Sequence, residues 1–188
     1  MFIVGLKKKY IRAGINDRLF DMEHGWFPWP VEKYINAVNT FVWPEKHAFG
    51  TTPKRPLDIP IELTVWHALK KPLDATKLAN GKEFFQPHSP KFSLIEEGDD
   101  SGYSFKRLHR YRYSPTVWYG HQEVHLHPWQ PRRLSVREAL RLQTVPDEYE
   151  LPLDISLSAK FQLVCNGVPC QLAKEVAKSF LKLLKKIR

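Results

Sequence analysis

The stretch that most constrains this chain runs from Arg132 to Tyr149, because it contains a start, a body and a stop for a single helix. Ser135 stands where an N-cap belongs, and Glu138 three residues later completes the S-x-x-E capping box. Apolar residues then recur at helical spacing, while Arg137 and the arginine four residues later form a basic edge. Pro146 ends the pattern. On periodicity alone, we expect a surface helix packed on a core.

The composition bounds the class of protein. A chain of 188 residues with 43% hydrophobic and 13% aromatic residues can bury a core, as one domain or one domain with an appendage. Two cysteines are too few for a disulfide framework, so we expect a reducing, cytoplasmic compartment. Because no apolar run approaches about 18 residues and no charged leader opens the chain, we expect neither a membrane span nor secretion.

The charge points to an anionic partner. A formal net charge of +9 makes nucleic acid the commonest partner for such a domain, although the charges at 7–9 and 174–188 are better explained as solvated surface. The segment from Lys106 to Tyr113 alternates cations with aromatic rings, as contact with a phosphate backbone and stacking on bases require. Arg107, Arg110 and Arg112 are therefore candidate DNA contacts. An edge strand with a solvated basic face explains the segment equally well.

The rest of the chain predicts few regular elements. Short apolar runs at Phe2–Leu6 and Phe161–Val164 are typical of buried strands, and residues 172–187 have the spacing of an amphipathic helix. The acidic, glycine-containing stretch 96–102 predicts an exposed loop. The histidines at 121, 125 and 127 lack a supporting carboxylate or cysteine, so we predict no metal site.

The residue order between 132 and 149, R-x-L-S-x-R-E-A-x-R-L-Q-x-x-P-D-x-Y, resembles motif IX of the DNA cytosine-5 methyltransferases. Residues 1–6 resemble the strand of motif VIII, and Ser114–Val117 resembles the family's recurrent Thr-Leu/Val/Ile dipeptide. Asn166–Pro169, followed by Leu172-Ala173, resembles motif X, with Cys165 where the family usually has glycine.

This resemblance implies an α+β fold with a small, strand-rich target recognition domain, plus a strand and a helix that complete a Rossmann-like methyltransferase domain. Residues 1–42 would be the edge of the methyltransferase core and 43–120 the recognition domain. Residues 121–150 would form the motif IX joint, and 151–188 the strand, turn and helix of motif X.

The chemical half of such an enzyme is absent from this sequence, which lacks the F-x-G-x-G, G-P-P-C-Q and E-N-V segments. Pro169-Cys170-Gln171 spells the last three letters of the nucleophile motif, but it opens the motif X helix, so we assign Cys170 to packing. We expect no catalytic residue here, and the nucleophile and most of the S-adenosylmethionine pocket on a larger partner subunit.

By resemblance, Thr116 contacts the backbone of duplex DNA near the target base, and Asn166 and Val168 border the methyl-donor pocket. Arg137 and Glu138 buttress the recognition domain, and Gln143 belongs to the same structural motif. The resemblance leaves open whether the chain is the smaller subunit of a split enzyme or the product of an interrupted gene. Two alternatives of other classes also remain at this point: a catalytically inactive DNA-binding remnant, and a basic domain of unrelated function.

Overall fold

A computed structural model describes residues 27–73, 78–116 and 124–187. The chain divides into two compact units, 36–169 and a smaller unit of residues 1–35 with 170–188. The strand predicted at Phe2–Leu6 lies outside the described residues.

The described part of the larger unit combines short helices with a minimal sheet. In chain order its elements are α1 (Ala37–Thr40), a 3-10 helix (Ile61–Leu63), α2 (Val65–Leu69), α3 (Lys91–Leu94), β1 (Lys106–Arg107), β2 (His125–Leu126), α4 (Val136–Leu142) and α5 (Leu157–Asn166).

The two strands pair in parallel, with Lys106 opposite His125. The predicted mixture of α and β structure is confirmed, but the predicted strand-rich recognition domain is wrong for the described part of 43–120. There the strand structure consists of β1 and an isolated antiparallel bridge between His47 and Glu97. Prolines, which cannot donate to a ladder, recur along this region, and arginine side chains bind many of its backbone carbonyls instead.

Helix α4 lies at the centre of the larger unit, packed against α2 and α5. Its apolar residues form one core cluster with Leu151, Phe161 and Val164. Every residue from 136 to 141 is buried, arginines included. The prediction of a surface helix with a basic edge is therefore wrong, because the polar side of this helix is covered by segments that its side chains bind.

Residues 161–164 lie within α5, so the strand predicted there is wrong. The Ser156 hydroxyl accepts a hydrogen bond from the backbone N–H of Ala159 at 3.2 Å and caps the helix. Leu157, Phe161 and Val164 pack in the core with α4, at the spacing of one helical face. A short apolar run does not by itself distinguish a strand from a buried helix. Here the spacing of the apolar residues from Leu157 to Val164 is that of a helix.

The described part of the smaller unit contains α6 (Cys170–Ile187), which confirms the predicted C-terminal helix. Phe27 is buried and packs edge-on against Trp29, with ring centroids 4.7 Å apart, and tilted against Phe180 at 6.2 Å. Aromatic packing therefore joins the two segments of this unit.

None of the helices in the described ranges combines the length and apolar character that crossing a bilayer requires.

Candidate functional site

The start of α4 has the geometry that its sequence predicts. The Ser135 hydroxyl accepts a hydrogen bond from the backbone N–H of Glu138 at 3.2 Å, and the Glu138 carboxylate accepts one from the Ser135 N–H at 2.8 Å. This reciprocal pair confirms the capping box. The helix ends at Leu142, and Thr144 adopts a φ of 57° before Pro146.

The buried carboxylate of Glu138 does more than cap the helix. It accepts two hydrogen bonds of 2.7 Å from the Arg132 guanidinium, and the His127 Nε2 atom lies 3.4 Å away. Burial acts to raise the pKa of Glu138, but the hydrogen bonds from Arg132 and His127 outweigh it and hold the pKa well below its ordinary value. Glu138 thus fastens the segment after β2 to the helix.

Arg137 is completely buried on the next face of α4. Its guanidinium donates to the backbone carbonyls of Ala79, Pro146 and Tyr149 at 3.0, 3.2 and 2.5 Å. Burial lowers the pKa of Arg137 from its ordinary value. The side chain therefore joins the loop at Ala79 to the turn that follows the helix.

Gln143 is the C-cap of the same helix, and its Nε2 atom donates to the Val164 carbonyl of α5 at 3.4 Å. Arg141 forms a two-point ion pair with Asp147 at 2.7 and 2.9 Å and donates to the Lys71 carbonyl at 2.8 Å. The polar side chains of α4 thus bind several neighbouring segments, and both Arg137 and Arg141 bind the turn at residues 146–149.

Arg107 lies inside the protein, with 1% of its surface exposed. Its guanidinium donates to the carbonyls of Ile95, His127, Gln130 and Phe92 and lies 4.0 Å from the centroid of the Phe49 ring. Burial lowers its pKa to about 10, so it stays charged at neutral pH. The interpretation of Arg107 as a DNA contact is wrong, because protein acceptors occupy its donors.

Arg110 is also buried. Its guanidinium binds both oxygens of Glu97 at 2.7–3.1 Å and the Thr51 carbonyl at 3.2 Å. The interpretation of Arg110 as a DNA contact is wrong for the same reason, as is the prediction that the acidic loop is exposed throughout, since Glu97 has no exposed surface. No local signal marks this pair, because its partners lie 13 residues apart.

Arg112 and Thr116 remain accessible. Arg112 is half-buried and donates to the carbonyls of Pro44 and Gly98, while Thr116 is exposed. Val117, the second residue of the predicted dipeptide, lies outside the described residues.

Ligand atoms of His47, Glu97 and His109 lie within 4.8 Å of one another. This donor set does not fit a divalent cation, because the Arg110 guanidinium already binds both Glu97 oxygens and would repel a metal. The Tyr111 N–H donates to His109 Nδ1 at 2.9 Å, so the neutral ring carries its proton on Nε2, the atom that a metal would need. Burial lowers the pKa of His109 to about 4.

The motif X residues lie at the end of α5. Asn166 is its last residue, and both Asn166 and Val168 expose their side chains, the latter by 51%. Cys165 is half-buried within the helix. Cys170 is exposed at the start of α6, so the assignment of Cys170 to packing is wrong.

Comparison with known proteins identifies the family. The family model for C-5 cytosine-specific DNA methylases matches residues 1–182. The chain therefore belongs to the C-5 cytosine-specific DNA methylase family, which confirms the resemblance that motifs IX and X suggested.

Two curated relatives differ in how much of their length this chain covers. The type II methyltransferase M.NmeDI of Neisseria meningitidis serogroup C is 45% identical over 145 residues, which are 74% of this chain but 34% of that protein. The type II methyltransferase M.AquIB of Picosynechococcus sp. is 38% identical over 96 residues, which are 46% of this chain and 68% of that protein. This chain thus spans about a third of M.NmeDI.

A solved structure of a DNA modification methyltransferase encoded within an E. coli prophage aligns with 80% of this chain and 46% of its own length. The TM-score is 0.48 and the identity 19%, which is too low a likeness to bear on the details of the fold.

Proposed function

We propose that this chain is the DNA-recognition part of a DNA (cytosine-5) methyltransferase, which transfers a methyl group from S-adenosylmethionine to a flipped cytosine in duplex DNA. A larger partner chain would supply the nucleophile and most of the methyl-donor pocket. The observation that carries this proposal is a family match across residues 1–182 in a sequence without F-x-G-x-G, G-P-P-C-Q or E-N-V segments.

The chemistry explains why those segments must come from elsewhere. Methylation at the fifth carbon of cytosine requires a thiolate that adds to the sixth carbon, a carboxyl group that assists at the ring nitrogen, and a methyl donor beside the flipped base. Cys170 is the first residue of a long helix in motif X and lacks the preceding G-P of the family's G-P-P-C-Q segment. We therefore infer that Cys170 is not the nucleophile.

The lengths of the relatives support a separate chain. A 96-residue match covers 68% of M.AquIB, so that type II methyltransferase is itself a short protein. About two thirds of M.NmeDI, in contrast, has no counterpart in the matched part of this chain. The unmatched part of M.NmeDI indicates the size of the partner that this proposal requires.

The geometry of α4 supports the role of motif IX as a joint. Arg137 binds a carbonyl at residue 79, within the region proposed as the recognition domain, and two carbonyls beyond the helix. Glu138 holds Arg132 and His127, and Gln143 holds α5. These bonds would transmit the position of the recognition domain to the motif X region.

The remaining site residues have the exposure that their proposed roles require. Thr116 and Arg112 are accessible for contact with the DNA backbone, and Asn166 and Val168 present exposed side chains that could border a pocket on another chain.

The proposal is tested by co-expressing this chain with the polypeptide that carries the missing segments, and measuring methyl transfer from labelled S-adenosylmethionine to duplex DNA. We expect activity only when both chains are present. A cysteine-to-serine change in the partner's P-C-Q segment should abolish transfer, whereas the matched change Cys170→Ser should leave it intact.

Full activity of the partner alone would refute the subunit role. DNA binding by the pair without any methyl transfer would instead favour a catalytically inactive DNA-binding remnant.

A further inference from the structure

An open groove of about 480 Å³ in the larger unit carries a concentration of positive charge. Its lining includes Trp66 of α2 and Trp129 of the segment after β2. The charged side chains that line it are those of Lys70, Lys71, Lys82, Arg132 and Glu138, four cations and one carboxylate. We call this feature the lysine groove.

The carboxylate in the lysine groove is already neutralised. Glu138 is buried and binds the Arg132 guanidinium through both oxygens, so Arg132 and Glu138 cancel each other. Lys70, Lys71 and Lys82 are exposed, and within the described ranges none of them forms an ion pair with an acidic side chain. The ammonium groups of Lys70 and Lys82 are therefore uncompensated at this groove, while that of Lys71 also lines the neighbouring acidic groove beside Asp147.

A second open groove in the same unit has a different balance of charges, with more acidic than basic side chains in its lining. It has a volume of about 640 Å³ and is lined by Glu62, Asp147 and Glu148 against the cations Lys71 and Arg141. The charge of Arg141 is neutralised by its ion pair with Asp147. An anionic ligand would therefore be attracted to the lysine groove and not to its acidic neighbour.

The two tryptophan rings that line the lysine groove are held in place by neighbouring side chains. The rings of Trp66 and Trp129 lie 5.2 Å apart, His127 packs edge-on against Trp129 at 4.5 Å, and the Arg110 guanidinium lies 5.3 Å from the Trp129 ring. The Trp66 backbone N–H donates to the Arg110 carbonyl at 2.7 Å. Flat rings fixed between mobile ammonium groups suit a sugar-phosphate chain, in which the rings contact sugars and the cations contact phosphates.

We propose that the lysine groove binds the phosphate backbone of duplex DNA, with Lys70, Lys71 and Lys82 each neutralising a phosphate independently of base sequence. This inference rests on the proposed function, because it takes DNA as the ligand. It adds an anchoring surface to the accessible Arg112 and Thr116. A lysine ammonium is a mobile point charge without the planar fork that reads base edges, so the groove contributes affinity and not target choice.

The test compares two charge-matched triple variants in the complex with the catalytic partner. One is K70Q/K71Q/K82Q, and the control is K54Q/R55Q/K91Q, which removes three exposed cations that do not line the groove. The affinity for fluorescent duplexes of unrelated sequence is measured by anisotropy over a range of salt concentrations. Thermal denaturation of each variant checks that folding is unchanged.

We expect the groove variant to bind every duplex at least about tenfold more weakly at low salt. The slope of log affinity against log salt should fall by roughly 0.9 for each lost phosphate contact, hence by nearly three. The control variant should lose much less affinity and keep most of its salt slope.

Equal losses in both variants, or an unchanged salt slope in the groove variant, would overturn the proposal. Loss of assembly with the partner, seen by size-exclusion chromatography, would show that the groove binds an acidic protein surface instead. A wild-type pair that methylates DNA while the groove variant binds normally would remove only this inference. A wild-type pair that neither binds nor methylates DNA would remove the proposed function with it.

Discussion

Three buried arginines of the larger unit and the lysines of its groove carry the same charge but occupy opposite environments. Arg107, Arg110 and Arg137 lie inside, where their guanidinium groups donate to backbone carbonyls or to a buried carboxylate. Lys70 and Lys82 lie outside, without an acidic partner among the residues that the structure describes. A basic sequence therefore divides into cations that build the fold and cations that are free for a ligand.

The difference follows from the two side chains. A guanidinium is planar, weakly hydrated and carries five donors in a fixed fork, so it can bind several carbonyls at once and repay its burial. An ammonium is compact and strongly hydrated, so burying it costs more for fewer directed bonds. Carbonyls in irregular backbone, which no sheet ladder satisfies, are the acceptors that Arg107 and Arg137 use.

The largest effect is expected from Arg107→Met, which leaves several buried carbonyls without a donor. The free energy of unfolding should fall on the order of 5 kcal/mol, enough to threaten folding of a domain of this size. Thermal denaturation of the full chain measures it. The exposed Arg55→Met is the matched control and should change stability by less than about 0.5 kcal/mol. Similar losses of stability in the two variants would contradict the distinction between buried cations that stabilise the fold and exposed cations that do not.

Replacing Glu97 by glutamine should cost about 3–5 kcal/mol, because the Arg110 guanidinium would remain buried without its counter-charge. The neighbouring Glu96 pairs with Lys46 on the surface at 3.0 Å, so Glu96→Gln should cost under about 1 kcal/mol. Denaturant unfolding of both variants gives the comparison. A small effect at Glu97 would mean that the buried pair contributes little net stability.

The substitution Arg137→Lys keeps the positive charge but removes the planar guanidinium with its several hydrogen-bond donors. We expect a loss of about 2 kcal/mol, because one ammonium cannot replace three separate carbonyl contacts. The same unfolding measurement applies. If lysine restored full stability, charge and not hydrogen-bond geometry would explain why this cation is buried.

The buried His109 should make the stability of the larger unit sensitive to acid. Its folded pKa is about 4, below the ordinary value of 6.5, so the unfolded chain takes up a proton at a higher pH than the folded protein does. The free energy of unfolding should therefore fall as the pH drops below the ordinary pKa of histidine, by about 1 kcal/mol between roughly pH 7 and pH 5.5. His109→Asn, whose side-chain oxygen can still accept from the Tyr111 N–H, should flatten this slope. An unchanged slope would show that other groups dominate.

The smallest effect on stability is expected at the groove. Lys82→Gln should leave the unfolding free energy within about 0.5 kcal/mol of wild type, because the side chain is exposed and has no acidic partner within the described ranges. Thermal denaturation checks this directly. A large loss of stability would show that Lys82 stabilises the fold, as the buried arginines do.

Local signals predicted the elements that depend on neighbouring residues. The capping box from Ser135 to Glu138 and the C-terminal helix are confirmed, because capping and amphipathic spacing act within a few residues. The strand predicted at Phe161–Val164 failed because four apolar residues carry too little periodic information. Extending the window back to Leu157 would have revealed the helical face.

The position of each arginine could not be predicted. Arg107 binds carbonyls up to 23 residues away, Arg137 binds one 58 residues away, and Arg110 pairs with Glu97 across 13 residues. No pattern within a short window records such partners. The interpretation of Arg107 and Arg110 as DNA contacts failed for that reason.

The sequence by itself determined the family and the local start of its central helix, because residue order in motifs IX and X and capping chemistry are both local properties. Only the tertiary structure decided which positive charges face solvent, since burial of a charge depends on whether distant acceptors converge on it. Carbonyls converge on Arg107 and Arg137, whereas none of the described acidic groups pairs with Lys70 or Lys82. That distribution separates the basic residues that stabilise this protein from those proposed to hold its DNA.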